Sequence, residues 1–173
     1  MNLFQHFRAR RSLRRGHSLV ELAVSTMLVG VLMTAALQAT GQSLLSQRLT
    51  ADRAIAESLA QSLLTEILGQ SYADPTTPSA PLGLDAGESP SIRATYDDVD
   101  DYHAHSESPP QHKDASSIPG LTGWTRSVDV AWVEPSTLIP TAGPETGAKR
   151  ITISAVSPGG AIHSVVGLRT SAP

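Results

Sequence analysis

The sequence predicts an α+β fold in which one long N-terminal helix packs on a small antiparallel β-sheet. Three observations predict it: an apolar stretch from Leu19 to Leu37, a helical spacing of apolar residues that continues to Leu68, and strand-like alternation after Gly123. The chain has 173 residues, enough for one domain beside an N-terminal anchor. The four predicted segments are residues 1–16, 17–40, 41–69 and 70–173.

Residues 1–16 are predicted to be a basic leader that is later removed. The leader contains five arginines and no acidic residue: Arg8, Arg10, Arg11, Arg14 and Arg15. The apolar stretch that follows has 19 residues, and as a helix it measures about 28 Å, close to the ~30 Å hydrocarbon core of a bilayer. Since basic residues stay on the cytoplasmic side, we expect residues 17–40 to cross the cytoplasmic (inner) membrane once, in contact with lipid. The C-terminal domain is then exported to the periplasm or the cell surface.

Glu21 is the only strongly polar side chain within the apolar stretch. A carboxylate in the middle of a membrane costs about 2.5–3.5 kcal/mol, and less near the interface, so we expect a cationic partner for it. Cleavage after Gly16 would give His17 a new α-amine, which is four residues from Glu21 and on the same helix face. The amine can belong to the same chain or to a neighbouring subunit, and in the second case Glu21 is an assembly determinant.

The stretch Gly16-His17-Ser18-Leu19-Val20-Glu21, with its basic leader and apolar continuation, resembles the prepilin cleavage and methylation motif of type IV pilins and type II secretion pseudopilins. In that family, Phe is usual at the position of His17. The resemblance implies a pilin-like fold, cleavage between Gly16 and His17 by a prepilin peptidase/methyltransferase, and N-methylation of His17. It also implies that Glu21 pairs with the N-terminus of a neighbouring subunit.

From this resemblance we expect a minor pilin or pseudopilin, a structural subunit of a type IV pilus or type II secretion filament, with other pilin-like subunits as partners. Residues 54–68 are similar to the second half of the helix in minor subunits. The alternative is a singly anchored exported domain that acts alone as a binding module, for calcium among other ligands, or as an enzyme. An ordinary secretory signal fits less well, because its apolar region has roughly 7–15 residues and Leu37-Gln38-Ala39 is a poor cleavage site.

Residues 41–69 are predicted to continue the helix as an amphipathic half. Apolar residues recur at spacings of three, four or their multiples: Leu45, Leu49, Ala56, Leu59, Leu63 and Ile67. No proline occurs before Pro75, and Gly69 is a suitable residue to end the helix. The apolar face is expected to cover one side of the exported sheet.

Residues 70–173 are predicted to form a small β domain of three or four strands connected by proline-rich loops. The strand candidates are residues 92–96, 124–133, 149–156 and 161–169. In the second candidate, Val128, Val130 and Trp132 share one face, and Trp124 and Trp132 are expected in the core or at the sheet edge. The turn at residues 157–160 should join the last two strands as a hairpin.

Four carboxylates occupy five positions in one short segment: Asp97, Asp98, Asp100 and Asp101. Such hard oxygen ligands suit Ca²⁺, but the spacing and the closing Glu of an EF-hand are absent. We therefore expect a solvated acidic turn with no metal, no cofactor and no stabilisation by millimolar calcium. His103 and His105 are expected to be exposed in a loop, because no further zinc ligand follows from the pattern.

Composition excludes several classes of function. Without the five leader arginines, eight of the 13 basic residues remain against 16 acidic ones, a net charge of −8 that argues against a nucleic-acid partner. The chain has no cysteine, hence no disulfide framework and no thiol chemistry. Motifs for a nucleophile elbow, a phosphate-binding loop or a zinc protease are absent, so we expect no enzymatic activity.

Overall fold

The structure is a computed structural model that describes residues 18–78, 81–141 and 145–171. Within these ranges the elements are helix α1 (Leu19–Leu68), two short 3₁₀ turns (Arg93–Thr95 and Asp100–Tyr102), and strands β1 (Ser106–Glu107), β2 (Thr125–Trp132), β3 (Ala148–Val156) and β4 (Ile162–Thr170). The strands form one antiparallel sheet in the order β1-β2-β3-β4. This confirms the predicted α+β fold, with a 50-residue helix packed on a four-stranded antiparallel sheet. The chain forms two compact units, Met1–Ser46 and Gln47–Pro173.

Both ends of α1 follow from local sequence. Ser18 precedes the helix, and its Oγ accepts a hydrogen bond from the backbone N–H of Val20 at 3.3 Å, as an N-cap does. The helix ends at Leu68, directly before Gly69, as predicted. The N–H of Gly69 donates to the carbonyl of Glu66 at 3.2 Å, an i→i−3 bond that tightens the last turn.

The hydrophobic core of the second unit lies between α1 and the sheet. The buried residues of α1 are three or four positions apart and share one face: Ala56, Leu59, Ala60, Leu63, Leu64 and Ile67. They pack with Val128 and Val130 of β2 and with Ile151 and Ile153 of β3. Tyr96 and Tyr102, from the segment between α1 and β1, complete this core. The predicted apolar face is thus confirmed from Ala56 onward, whereas Leu45 and Leu49 are exposed.

Strands β2, β3 and β4 confirm three of the four strand predictions. Val128 pairs with Ile153 and Val130 with Ile151, so that inward positions of one strand oppose inward positions of the next. Trp124 is buried in a second small cluster with Leu121, as expected for a core residue. The 157–160 turn closes the β3–β4 hairpin as predicted, with Gly160 at φ +81°, which favours glycine.

The predicted strand at residues 92–96 is wrong. Arg93–Thr95 forms a 3₁₀ turn instead, in which the N–H of Tyr96 donates to the carbonyl of Arg93 at 3.1 Å. The Arg93 side chain is buried against two carboxylates, and this contact, rather than alternation, fixes the local backbone. The additional strand of the sheet is β1, two residues long, in a stretch predicted as a loop.

Gly167 of β4 lies close to Leu64 of α1. A Cβ atom at this position would lie 2.5 Å from Cδ1 of Leu64 and 3.3 Å from its Cδ2. We therefore expect Gly167→Ala to lower the free energy of unfolding by about 1–3 kcal/mol, because Leu64 must move to make room. Chemical denaturation of the full chain measures the loss. In a Leu64→Ala background the penalty should disappear, and a penalty of equal size there would contradict the packing argument.

Candidate functional site

Apart from Ser18, the described part of the first unit belongs to α1, and it exposes many large apolar side chains. The exposed fraction is 84% at Leu19 and 74% at Leu37. Among the described residues, α1 is the one helix whose length and apolar composition allow it to span a membrane, although an N-terminal signal sequence meets the same criteria. Glu21 lies in the first turn of the helix. Gly16 and His17, the predicted cleavage and methylation positions, lie outside the described residues.

Two threonine hydroxyl groups in this apolar stretch form hydrogen bonds within the helix. Thr26 donates to the carbonyl of Ala23, and Thr34 donates to that of Val31, each at 2.9 Å. Such back-bonding means that neither threonine presents a free hydroxyl hydrogen to an apolar environment. The threonines are therefore compatible with either lipid or packed helices around this part of α1.

Four charged residues from distant parts of the chain form a buried ion cluster in the second unit: Glu66, Arg93, Glu107 and Arg126. Arg93 donates to Glu66 Oε1 at 3.0 Å and to Glu107 Oε2 at 2.5 Å, and Arg126 donates to Glu107 Oε1 at 2.6 Å. Both guanidinium groups also donate to the backbone carbonyl of Gln111. The cluster joins helix α1, strands β1 and β2 and two loops.

The charged groups of the buried ion cluster are paired with one another. Burial by itself raises the pKa of Glu107, but the nearby imidazole of His105 and the two guanidinium groups outweigh it and hold the pKa below its usual range. A cavity of about 270 Å³ beside the cluster is lined in part by Arg93, Glu107 and His112. Because Arg93 and Glu107 already pair with each other, neither offers an unpaired charge to a ligand in that cavity.

The acidic segment at residues 97–101 is not the solvated turn expected from the sequence. Only Asp97 is exposed, whereas Asp98, Asp100 and Asp101 are 1%, 6% and 2% exposed. Reciprocal bonds turn two carboxylates inward: Asp98 Oδ1 accepts the N–H of Asp101, and Asp101 Oδ2 accepts the N–H of Asp98 at 3.0 Å. Side-chain-to-backbone bonding of this kind is typical of aspartate-rich turns.

Asp100 is neutralised by a lysine from the sheet. Lys149 of β3 is fully buried, and its Nζ lies 2.8 Å from the Asp100 carboxylate and 4.1 Å from the ring centre of Tyr72. Burial raises the pKa of Asp100 although Lys149 acts in the opposite direction. This ion pair attaches the acidic turn to β3.

The other three aspartates converge with acidic residues from the preceding loop. The first carboxylate group consists of Asp74, Asp85 and Asp98, and the second of Glu88, Asp97 and Asp101. In each group, one oxygen from each residue lies within 4.8 Å of the others. No sequence pattern indicates Asp74, Asp85 and Glu88, because they are scattered through a loop rich in proline and glycine that has no periodicity.

Crowding of like charges alters the acidity of these carboxyl groups. The proximity of Asp74 raises the pKa of Asp85 to about 6, and the proximity of Asp85 in turn holds the pKa of Asp74 well below its usual range. Burial, followed by repulsion from Asp101, raises the pKa of Asp98 to about 7. Burial, followed by contact with Asp101, also raises the pKa of Glu88 to about 7. Close carboxylates disfavour each other's ionisation unless a proton or a cation lies between them.

The two histidines of this region are less exposed than expected. The imidazole Nε2 of His105 lies 3.6 Å from the Glu107 carboxylate, and the side chain is only 7% exposed, which corrects the prediction of an exposed loop residue. His103 is half-buried, 3.8 Å from Asp129. Neither belongs to the first or the second carboxylate group.

Comparisons of the chain with protein-family models, with curated proteins and with solved structures found no match. The chain's apolar N-terminal helix, packed through its last turns on a four-stranded antiparallel sheet, is a pilin-like architecture.

Proposed function

We propose that this chain is a minor pilin or pseudopilin, a structural subunit of a membrane-anchored type IV pilus or type II secretion filament. One observation carries the proposal. A motif with Gly16 and Glu21 leads directly into a single helix that is apolar and exposed in its first part and packs on an antiparallel sheet through its last turns. This is the order of parts that a filament subunit needs.

In such a subunit, the exposed apolar side chains of α1 must be shielded from water both before and after assembly into a filament. Before assembly they contact lipid, and after assembly they contact the helices of neighbouring subunits, which pack side by side. Glu21 then meets the N-terminal amine of a neighbour. A polar pair inside an apolar bundle sets the register of the helices, because any other alignment leaves a charge without its partner.

The competing function is an exported domain that acts alone on a simple membrane anchor. Such a domain requires an apolar helix but gives no reason for an acid five residues after a cleavable glycine. The paired charges beside the 270 Å³ cavity also favour a structural role over catalysis. The acidic charge of the mature chain, its long loops and the similarity of residues 54–68 to minor subunits favour a subunit present in few copies, near the filament tip.

Processing at the N-terminus gives the first functional prediction. We expect the mature protein to begin at His17, because cleavage after Gly16 releases the amine that neutralises Glu21. Mass spectrometry of the protein from membranes of its native host measures the N-terminus and any methyl group on it.

Gly16→Arg should block cleavage, since a small residue lets the backbone approach the peptidase. Ala9→Arg adds the same charge to the leader and should leave cleavage unchanged, whereas a mature start at Met1 or near Thr40 would reject the processing model.

A further inference from the structure

The carboxylate of Asp98 is buried with one oxygen that has no partner. Its Oδ1 accepts hydrogen bonds from the N–H groups of Asp100 and Asp101, at 2.5 and 3.3 Å. Its Oδ2 has no hydrogen-bond partner within the part of the chain that the structure describes, although Asp98 is only 1% exposed. A buried anionic oxygen without a partner is costly, so it marks a position at which a bound ligand would complete the site.

The surroundings of Asp98 have the dimensions of a cation site. One oxygen each from Asp74, Asp85 and Asp98 lies within 4.8 Å of the others. Calcium–oxygen distances are about 2.3–2.6 Å, so two ligand oxygens on opposite sides of one ion are about 4.6–5.2 Å apart. Carboxylates this close together are ionised at the same time only when a cation lies between them; otherwise a proton is shared.

We propose that the first carboxylate group binds one Ca²⁺ ion, with Asp74, Asp85 and Asp98 as ligands and water in the remaining positions. The ligand atoms are all hard carboxylate oxygens, which favour calcium over zinc or copper. Magnesium keeps most of its water and is rarely held by protein carboxylates alone, so calcium is the better fit. The proposal replaces the sequence-based expectation of no calcium response, which assumed solvated aspartates, and it does not depend on the filament role.

Binding would fasten the proline-rich loop to the core of the second unit. Backbone bonds already connect the two: the N–H of Ser71 donates to the carbonyl of Asp97, and the N–H of Gly83 donates to that of Asp100, at 3.2 and 3.1 Å. Lys149, the nearby basic residue, pairs with Asp100, which is not part of the first carboxylate group. The ion would supply the positive charge that this group needs and would fix Asp74 and Asp85 against the buried Asp98.

Thermal unfolding of the full chain in detergent, after removal of metals with a chelator, tests this proposal. At pH 7.5, millimolar Ca²⁺ should raise the melting temperature by about 5 °C or more, because a ligand that binds only the native state stabilises it. Mg²⁺ at the same concentration should give a much smaller rise. Calorimetric titration should give one Ca²⁺ per chain. No rise with Ca²⁺ would overturn the proposal and assign the close carboxylates to shared protons.

Asp98→Asn separates calcium binding from a purely structural role. The asparagine carbonyl can still accept the N–H bonds of Asp100 and Asp101, so the turn is kept while the ligand charge is lost. Without calcium the variant should melt at or above the temperature of the wild type, and calcium should no longer raise it. Asp129→Asn, an exposed aspartate on β2, and Asp97→Asn, in the second carboxylate group, should keep the calcium response. A full response in Asp98→Asn, or its loss in Asp97→Asn instead, would overturn the assignment to the first carboxylate group.

Discussion

Replacement of Glu107 by alanine is expected to lower the free energy of unfolding by about 3–5 kcal/mol. Glu107 is 8% exposed, and each of its carboxylate oxygens accepts a hydrogen bond from a different buried guanidinium group, that of Arg93 and that of Arg126. Arg93 would keep its bonds to Glu66, but Arg126 would lose its only carboxylate partner among the described residues. A buried cation without a counter-charge is among the most destabilising defects in a protein interior.

Urea denaturation followed by tryptophan fluorescence measures this loss, because Trp124 is buried in the second unit. Glu134→Ala removes an exposed carboxylate from the same unit and is the matched control, with an expected change below about 0.5 kcal/mol. An equal loss in the two variants would contradict the role assigned to the buried ion cluster.

The same carboxylate should make the protein sensitive to acid. The pKa of Glu107 is lowered in the folded state, so its contribution to stability is present above the ordinary glutamate pKa and is lost as the pH falls through the folded value. The Glu107→Ala variant should therefore lose less stability than the wild type on acidification below about pH 4. Parallel acid denaturation curves for the two proteins would count against this interpretation.

The second large effect is expected from Glu21→Ala. If Glu21 pairs with the amine of a neighbouring subunit, its removal should weaken subunit contacts by about tenfold or more, which corresponds to about 1.4 kcal/mol. Membrane insertion should be unaffected, because alanine is more compatible with lipid than a carboxylate. The yield of photo-crosslinks from a benzoyl-phenylalanine at position 37 measures the contacts, and resistance to alkaline extraction measures insertion. Glu57→Ala, which removes an exposed acid from the C-terminal part of the same helix, should leave the yield unchanged.

The features that the sequence predicted correctly are those with a local period. Apolar residues three and four positions apart predicted the buried face of α1 from Ala56 to Ile67, and strict alternation predicted β2 and β3. The turn before β4 was predicted because its residue types allow few backbone conformations. In each case neighbours along the chain determine the structure.

The features that the sequence did not predict depend on contacts between distant residues. Glu66, Arg93 and Arg126 meet only after the helix and sheet have packed, so no spacing in the sequence indicates the buried ion cluster. The same pairing replaced the expected strand at residues 92–96 with a 3₁₀ turn. The run of aspartates was visible, but its burial was not, because it follows from bonds that Asp98 and Asp101 make with each other's backbone.

The measurement that tests the filament role most directly is the identity of the proteins that crosslink to position 37 in membranes of the native host. Leu37 lies in the exposed apolar part of α1, where a filament places a neighbouring helix. We predict crosslinked partners that themselves carry a glycine-to-glutamate cleavage motif followed by an apolar helix, with a yield that falls in Glu21→Ala. Adducts with lipid alone, unchanged by Glu21→Ala, would contradict the filament role and leave a simple membrane anchor.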